Sequence, residues 1–137
     1  MKGRDLPEAL DGAVRSVMAG ASVALEFTVS GDRRPLQPVV ETTALRIGRE
    51  AVLNALKHAD ARTIEVRLEY APQLLVLEVA DDGRGIPIGA AEAAASDGHL
   101  GIAGMRSRAG RAGGTIEITS QVGAGTTIRV TLPITAF

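Results

Sequence analysis

Leu6, Leu10, Val14, Val17 and Met18 recur at helical intervals and stop before Gly20, so residues 6–19 are predicted to form a short amphipathic helix. The period then changes. Val23, Leu25, Phe27 and Val29 alternate with smaller or polar neighbours as a half-buried strand does, and Ser30, Gly31 and Asp32 close it ahead of a Pro-bounded connector through Pro38. Helical spacing returns from Val39 to Asp60, the longest such run in the chain. Thr63–Tyr70 and Leu74–Ala80 are rich in β-branched and aliphatic residues, and only Ala71, Pro72 and Gln73 separate them, which predicts an antiparallel hairpin. A further helix near Ile102–Ala112 is stopped by Gly113 and Gly114, after which Thr115–Thr119 and Thr126–Leu132 alternate as two strands around Gly123-Ala124-Gly125. From Asp81 to Gly98 the chain is dense in Gly, Ala and Asp with few large apolar anchors, the composition of a functional or mobile loop. No internal repeat is visible. Helices interleaved with such strands imply an α/β fold, a two-layer sandwich of a mixed, mostly antiparallel sheet with helices on one face.

At 137 residues with 45% apolar content, residues 1–137 make one globular domain. Cysteine is absent, which removes disulfides, thiolate metal sites and Cys nucleophiles and makes the cytoplasm the simplest address. Fifteen basic against 16 acidic residues leave a net charge of -1, and the aromatic residues are Phe27, Tyr70 and Phe137 alone. With neither a basic surface nor stacking platforms, no nucleic-acid partner is expected. The N-terminal stretch has no apolar core of a signal peptide, and the strongly apolar run Leu74–Ala80 is broken by Glu78, so no membrane contact is expected of this segment. Any phosphate binding has to be local.

Three short segments carry residues suited to such chemistry. On the 39–60 helix, a rotation of about 100° per residue puts Asn54 about 40°, Lys57 about -20° and His58 about 80° from Glu50, while Leu45, Gly48, Ala51, Val52, Ala55 and Leu56 fall between about 100° and 240°. A polar stripe thus faces away from the core stripe. The amide oxygen of Asn54 and the carboxylate of Glu50 are hard oxygen groups suited to Mg²⁺, which keeps several waters and takes phosphates to complete its shell. Lys57, one of only two lysines, adds a point charge for those phosphates. Asp81-Asp82-Gly83-Arg84-Gly85 follows a strand, where Asp81 can accept from an exocyclic amine and Gly83 and Gly85 let the backbone approach a flat ligand. The later ligands of a calcium-binding EF-hand loop are missing. Gly98-His99-Leu100-Gly101-Ile102-Ala103-Gly104-Met105 is a Gly-rich entry into a helix, whose free N–H groups form an anion site. It is neither a dinucleotide fingerprint, for want of a preceding strand in a βαβ unit, nor a Walker loop, for want of its Lys.

In this order and spacing the segments resemble the ATP-binding catalytic domain of sensor histidine kinases, in the superfamily that also holds gyrase-type topoisomerases, mismatch-repair ATPases and heat-shock chaperones. Arg49–Ala59 is similar to the N box, Asp81–Gly85 to the G1 box, Gly98–Ala109 to the G2 box and Gly123–Thr127 to the terminal glycine box of the subfamily paired with helix-turn-helix regulators. The likeness spans residues 40–133 and implies a Bergerat-type fold with ATP and Mg²⁺ as cofactors. By that resemblance Asn54 is the Mg²⁺ ligand, Lys57 a phosphate contact, and Glu50 acts on the metal's water shell or the attacking group. His58 lines the phosphate end. Asp81 reads adenine, Gly83 turns the backbone beside it, Gly85 and Ile86 wall the base, Gly101 and Gly104 form the phosphate nest, and Thr126 supports the water between adenine and Asp81. The family's lid falls in the weakly anchored stretch before Gly98. The acceptor His of such kinases sits on a separate dimerisation helix and is usually followed by an acid. Neither His58-Ala59 nor His99-Leu100 has that setting, so the dimerisation and phosphoacceptor domain is expected in trans, with a response regulator downstream. The alternative within the fold is a nucleotide-controlled binding module or protein-serine kinase like the anti-sigma factors.

Overall fold

The computed structural model describes residues 5–59, 61–83, 102–121 and 123–134. Helix α1 spans Leu6–Met18, strand β1 Ala24–Gly31, helix α2 Pro38–Asn54, strands β2 and β3 Thr63–Tyr70 and Leu74–Asp81, helix α3 Ile102–Arg111, and strands β4 and β5 Thr115–Gln121 and Gly125–Pro133. The strands form one sheet in the order β1-β2-β3-β5-β4. The β2–β3, β3–β5 and β5–β4 pairs are antiparallel, while β1 runs parallel to β2 with Ala24 opposite Thr63 and Gly31 opposite Tyr70. That pair is parallel because α2 lies between its strands as a crossover, whereas the three-residue link after Tyr70 permits only a hairpin. Fold class and elements agree with the sequence patterning.

Period-two alternation decides which side of the sheet is covered. Ile64, Val66 and Leu68 of β2, Leu75, Leu77 and Val79 of β3, and Ile128, Val130 and Leu132 of β5 are buried, and they meet Val40, Ala44, Ile47, Ala51 and Val52 of α2 and Met105 and Ala109 of α3. Helix α1 packs on α2 through the row Leu6, Leu10, Val14 and Met18, which its i, i+4 spacing places on one stripe. Each fully buried Leu in this layer contributes about 1.5–3 kcal/mol. Asp5 caps the helix, its side chain accepting from the Glu8 N–H at 3.1 Å. The opposite face of the sheet is polar. Across it Arg67 lies 3.0 Å from Glu65 and 3.4 Å from Glu78, which also faces Arg129 at 3.7 Å. Arg34 ties the β1–α2 connector to the β2–β3 hairpin by donating to the carbonyls of Asp32, Ala71 and Pro72. No described helix is long and apolar enough to cross a membrane.

The predicted helix over Val39–Asp60 differs from the structure in its last turns. The α-helical ladder ends at Asn54, Ala55 donates to both Ala51 and Val52 carbonyls, and Ala55–Ala59 forms a π-helical turn. A π-turn closes i→i+5 bonds and needs an extra residue to come round, so about 100° per residue overstates the rotation beyond Asn54. Lys57 and His58 consequently lag the angles that a continuous α-helix gives them. Residue 60 lies outside the described residues, as does the loop expected before Gly98 from residue 84 onward.

Candidate functional site

Asp81 closes the core-facing row of β3. Leu75, Leu77, Val79 and Asp81 share one parity, so the strand that buries three aliphatic side chains under the helices delivers a carboxylate at its end. Its register partners are Ile64 on β2 and Thr126 on β5. The carboxyl is half-buried, and its Oδ1 accepts from the Gly83 N–H at 2.9 Å. Burial pushes the Asp81 carboxyl above its ordinary value of 3.8, and the negative charge of Asp82 adds to the rise. Backbone N–H groups of Gly83 and Thr126 act against it by holding the ionised form. A desolvated acceptor with only part of its capacity used is suited to binding a donor on a flat ligand.

Asp82 does something else. Its Oδ1 accepts from the Arg62 N–H at 2.8 Å and the Thr63 N–H at 2.9 Å, pinning the start of β2 to the end of β3. Those bonds, Thr63 first, hold the Asp82 carboxyl below 3.8. A carboxyl depressed in the native state contributes stability above its unfolded value and loses it as pH falls through the native one. Asp82→Ala is therefore expected to lower the melting temperature at neutral pH, with the deficit shrinking as the pH is taken below 3.8; a melting series in pH checks it. The adjacent carboxylates thus divide into one that closes the sheet and one that faces the candidate site.

Beside Asp81, the Thr126 and Ser120 hydroxyls lie 3.0 Å apart in a register pair of β5 and β4. Asp81, Thr126 and Ser120 therefore form a polar row across three strands at the same sheet end. Ser120 was not singled out by the sequence reading. Its signal was available: the Gly123-Ala124-Gly125 turn sets the β4–β5 register, and that register places Ser120 opposite Thr126. Gly125 is required here, because at φ 103° an added Cβ would fall 2.0 Å from the Asp81 carbonyl oxygen. Close backbone approach at this point keeps the end of β3 paired with the start of β5.

Helix α2 brings a second set. Glu50 and Asn54 are part-buried on its final turns, and Lys57 is exposed on the π-turn that follows. Such turns are rare and are found frequently at functional sites. Gly104 lies in the first turn of α3, exposed, with open space limited only by the Arg108 guanidinium 3.5 Å from the position of an added Cβ. Gly83 is buried next to Asp81. The His58 side chain, Gly85, Ile86 and Gly101 lie outside the described residues. Among the described residues no group of three His, Asp or Glu converges as a metal cage. One amide and one carboxylate on α2 form a sparse oxygen set, which fits a Mg²⁺ that keeps waters and shares its shell with phosphates.

The chain is similar to known proteins in sequence and in fold. The description "histidine kinase-, DNA gyrase B-, and HSP90-like ATPase" matches residues 39–136. The signal transduction histidine-protein kinase/phosphatase DegS of Bacillus subtilis (strain 168) is 33% identical over 114 residues, covering 82% of this chain and 29% of that protein. The nitrate/nitrite sensor protein NarQ of Escherichia coli (strain K12) is 35% identical over 127 residues, covering 92% of this chain and 22% of that protein. Among solved structures, the blue-light activated histidine kinase EL346 of Erythrobacter litoralis superposes with a TM-score of 0.73 at 26% identity, over 95% of this chain and 42% of that one. The overlap thus takes in α1 and β1 as well. The chain spans less than a third of the length of the curated relatives it matches.

Proposed function

The chain belongs to the family of histidine kinase-, DNA gyrase B- and HSP90-like ATPases, and on that basis we propose that it is the cytoplasmic ATP-binding catalytic domain of a sensor histidine kinase, passing a phosphoryl group to a His on a separate dimerisation domain. The observation that carries this reading is Asp81: a half-buried carboxylate, raised by desolvation, at the end of the central strand β3. Its free acceptor capacity suits the exocyclic amine of adenine and meets the carbonyl of guanine with repulsion. Thr126, in register with Asp81 and 3.0 Å from Ser120, supports an ordered water between base and carboxylate.

ATP supplies the transferable γ-phosphoryl group, and Mg²⁺ neutralises charge on its phosphates. Asn54 offers the metal an oxygen from the end of a rigid helix, and Lys57 presents an ammonium to the phosphates. Glu50, one turn before Asn54, orders the metal's water shell or takes the proton of the attacking imidazole; Gly83, Gly85 and Ile86 bound the base. The phosphate nest falls to Gly101 and Gly104 at the entry to α3, with His58 at the phosphate end. Apart from that imidazole proton, the protein contributes positioning and charge stabilisation, as is general for phosphoryl transfer. A response regulator receives the phosphoryl group afterwards.

ATP with Mg²⁺ is expected to raise the melting temperature, by about 2.7 kcal/mol of stabilisation at a hundredfold excess over Kd, and GTP far less. Asn54→Ala should weaken the Mg²⁺-dependent part while sparing metal-free ADP. Incubated with γ-labelled ATP, the chain alone should stay unlabelled, and a dimerisation fragment carrying a phosphoacceptor His should become labelled in trans. Equal shifts with ATP and GTP would remove the base assignment; acid-labile label on the chain alone would overturn the transfer to a separate domain.

A further inference from the structure

A cavity opens between α2 and α3. It measures about 310 Å³ and is lined by Pro38, Val39, Thr42, Thr43 and Arg46 of α2 and by Arg108 and Arg111 of α3. Thr42 precedes Asn54 by 12 residues, about 18 Å along a helix, so the α2 side of this cavity opens away from the proposed metal end, while Arg108 on its α3 side borders Gly104, 3.5 Å from where a Cβ there would be. Three arginines from two helices line the cavity. Among the described residues none of the three is ion-paired, the pairs being made by Arg15, Arg67 and Arg129. Helix α3 carries Arg106 as well and no acidic residue.

Arg108 and Arg111 have a local reason for their place, since cations in a last turn complement the helix dipole. Arg46 has none. It is the central residue of α2, beyond the reach of either end's dipole, and lines the cavity together with two like-charged residues. Like charges gathered without counter-charges destabilise the isolated chain, and an anionic occupant reverses that sign. The rim shows what else the occupant carries. Val39 is 53% exposed, one of two large apolar side chains so exposed among the described residues, and it stands beside Pro38 at the mouth. A small inorganic anion leaves this apolar rim unused. A nucleic acid finds no aromatic side chain to stack on.

We infer that the groove between α2 and α3 docks an acidic segment of a protein partner, its carboxylates on Arg46, Arg108 and Arg111 and an apolar side chain against Val39. Arg is the cation suited to bidentate carboxylate pairing, and it is enriched where such contacts dominate binding. The inference does not rest on the nucleotide reading: it names none of the residues assigned to ATP, and Arg46, Arg111 and Val39 carry it without Arg108, which borders Gly104.

The test is fluorescence anisotropy of the intact chain with a fluorescein-labelled helical peptide bearing Glu on one face and Leu on the other. A peptide with Gln in place of Glu is the control, and sodium phosphate and single-stranded DNA are competitors. The Glu peptide is expected to bind with an affinity that falls with salt and the Gln peptide to stay at background. Arg46→Glu with Arg108→Glu and Arg111→Glu should weaken binding about tenfold or more, with Arg108→Gln and Arg111→Gln intermediate. The melting temperature and the ATP-induced shift report folding in each variant. Should charge reversal unfold the chain, the Gln pair alone must show the loss. Val39→Ser should weaken the peptide without altering phosphate competition. No binding of the Glu peptide, unchanged affinity in the Arg variants, displacement by phosphate at stoichiometric amounts, or tighter binding of DNA through the same arginines would each overturn the proposal.

Discussion

Asp81→Asn is expected to weaken ATP binding while raising the melting temperature of the nucleotide-free protein. The loss follows from turning an acceptor into a group that can present N–H to the adenine amine, a conflict of about 1–3 kcal/mol, or roughly 5- to 150-fold in Kd. The gain follows from the direction of the carboxyl's shift. A carboxyl raised above its unfolded value of 3.8 contributes stability below that value and loses it as pH rises through the native one, so at neutral pH the ionised group is a burden on the fold. The amide removes the charge and keeps a carbonyl oxygen for the Gly83 N–H. Wild type and variant should therefore differ at neutral pH and converge in acid. Calorimetric titration with ATP, paired with melting curves across pH, measures both halves. Undiminished affinity would move the base site elsewhere, and a destabilised variant would mean that Asp81 serves the fold.

The second large effect is structural, at Gly125→Ala. Two separate penalties coincide there. The backbone sits at φ 103°, a region that L side chains rarely adopt, and the new Cβ would lie 2.0 Å from the Asp81 carbonyl oxygen and 3.2 Å from the Asp82 Cα. Strain and overlap together are expected to cost about 3–5 kcal/mol, a fall of about 10 °C or more in Tm. Gly123→Ala is the internal control. It shares a positive φ, 83°, but has nothing within 4 Å of the added atom, so only the conformational penalty of about 1–2 kcal/mol remains. Similar losses at the two glycines would show that the close approach to β3 is not what Gly125 protects.

Most of the fold was legible because its signals are local. Alternation from Thr63 to Ala80 with a three-residue gap specifies a hairpin without knowledge of anything else, and the burial of Ile64, Val66, Leu68, Leu75, Leu77 and Val79 follows that parity. Features that depend on distant neighbours were not. The parallel partnership of β1 is set by where α2 returns the chain, and the role of Asp82 by the start of β2, twenty residues earlier in sequence. Ser120 owes its place to a register across the sheet rather than to its own surroundings. The π-turn escaped for a different reason. Ala-Leu-Lys-His-Ala has ordinary helical composition, and the extra residue per turn leaves no mark in polarity.

On the proposed reading, that turn separates two kinds of ligand contact by mechanical stiffness. Asn54 ends the regular ladder, three residues after Ala51, which is 2% exposed in the core, so its amide inherits the rigidity of the packed helix. Metal coordination needs this, because octahedral Mg²⁺ tolerates little error in distance or angle. Lys57 comes after the change of helix type, on wider backbone rings, at the end of a flexible four-carbon stem. An ammonium attracts phosphate from many directions, so compliance at Lys57 lets the charge follow a phosphate that shifts as it is transferred. One helix thus offers a fixed ligand and a trailing charge within a single turn, and the boundary between them is the residue at which the α-ladder stops.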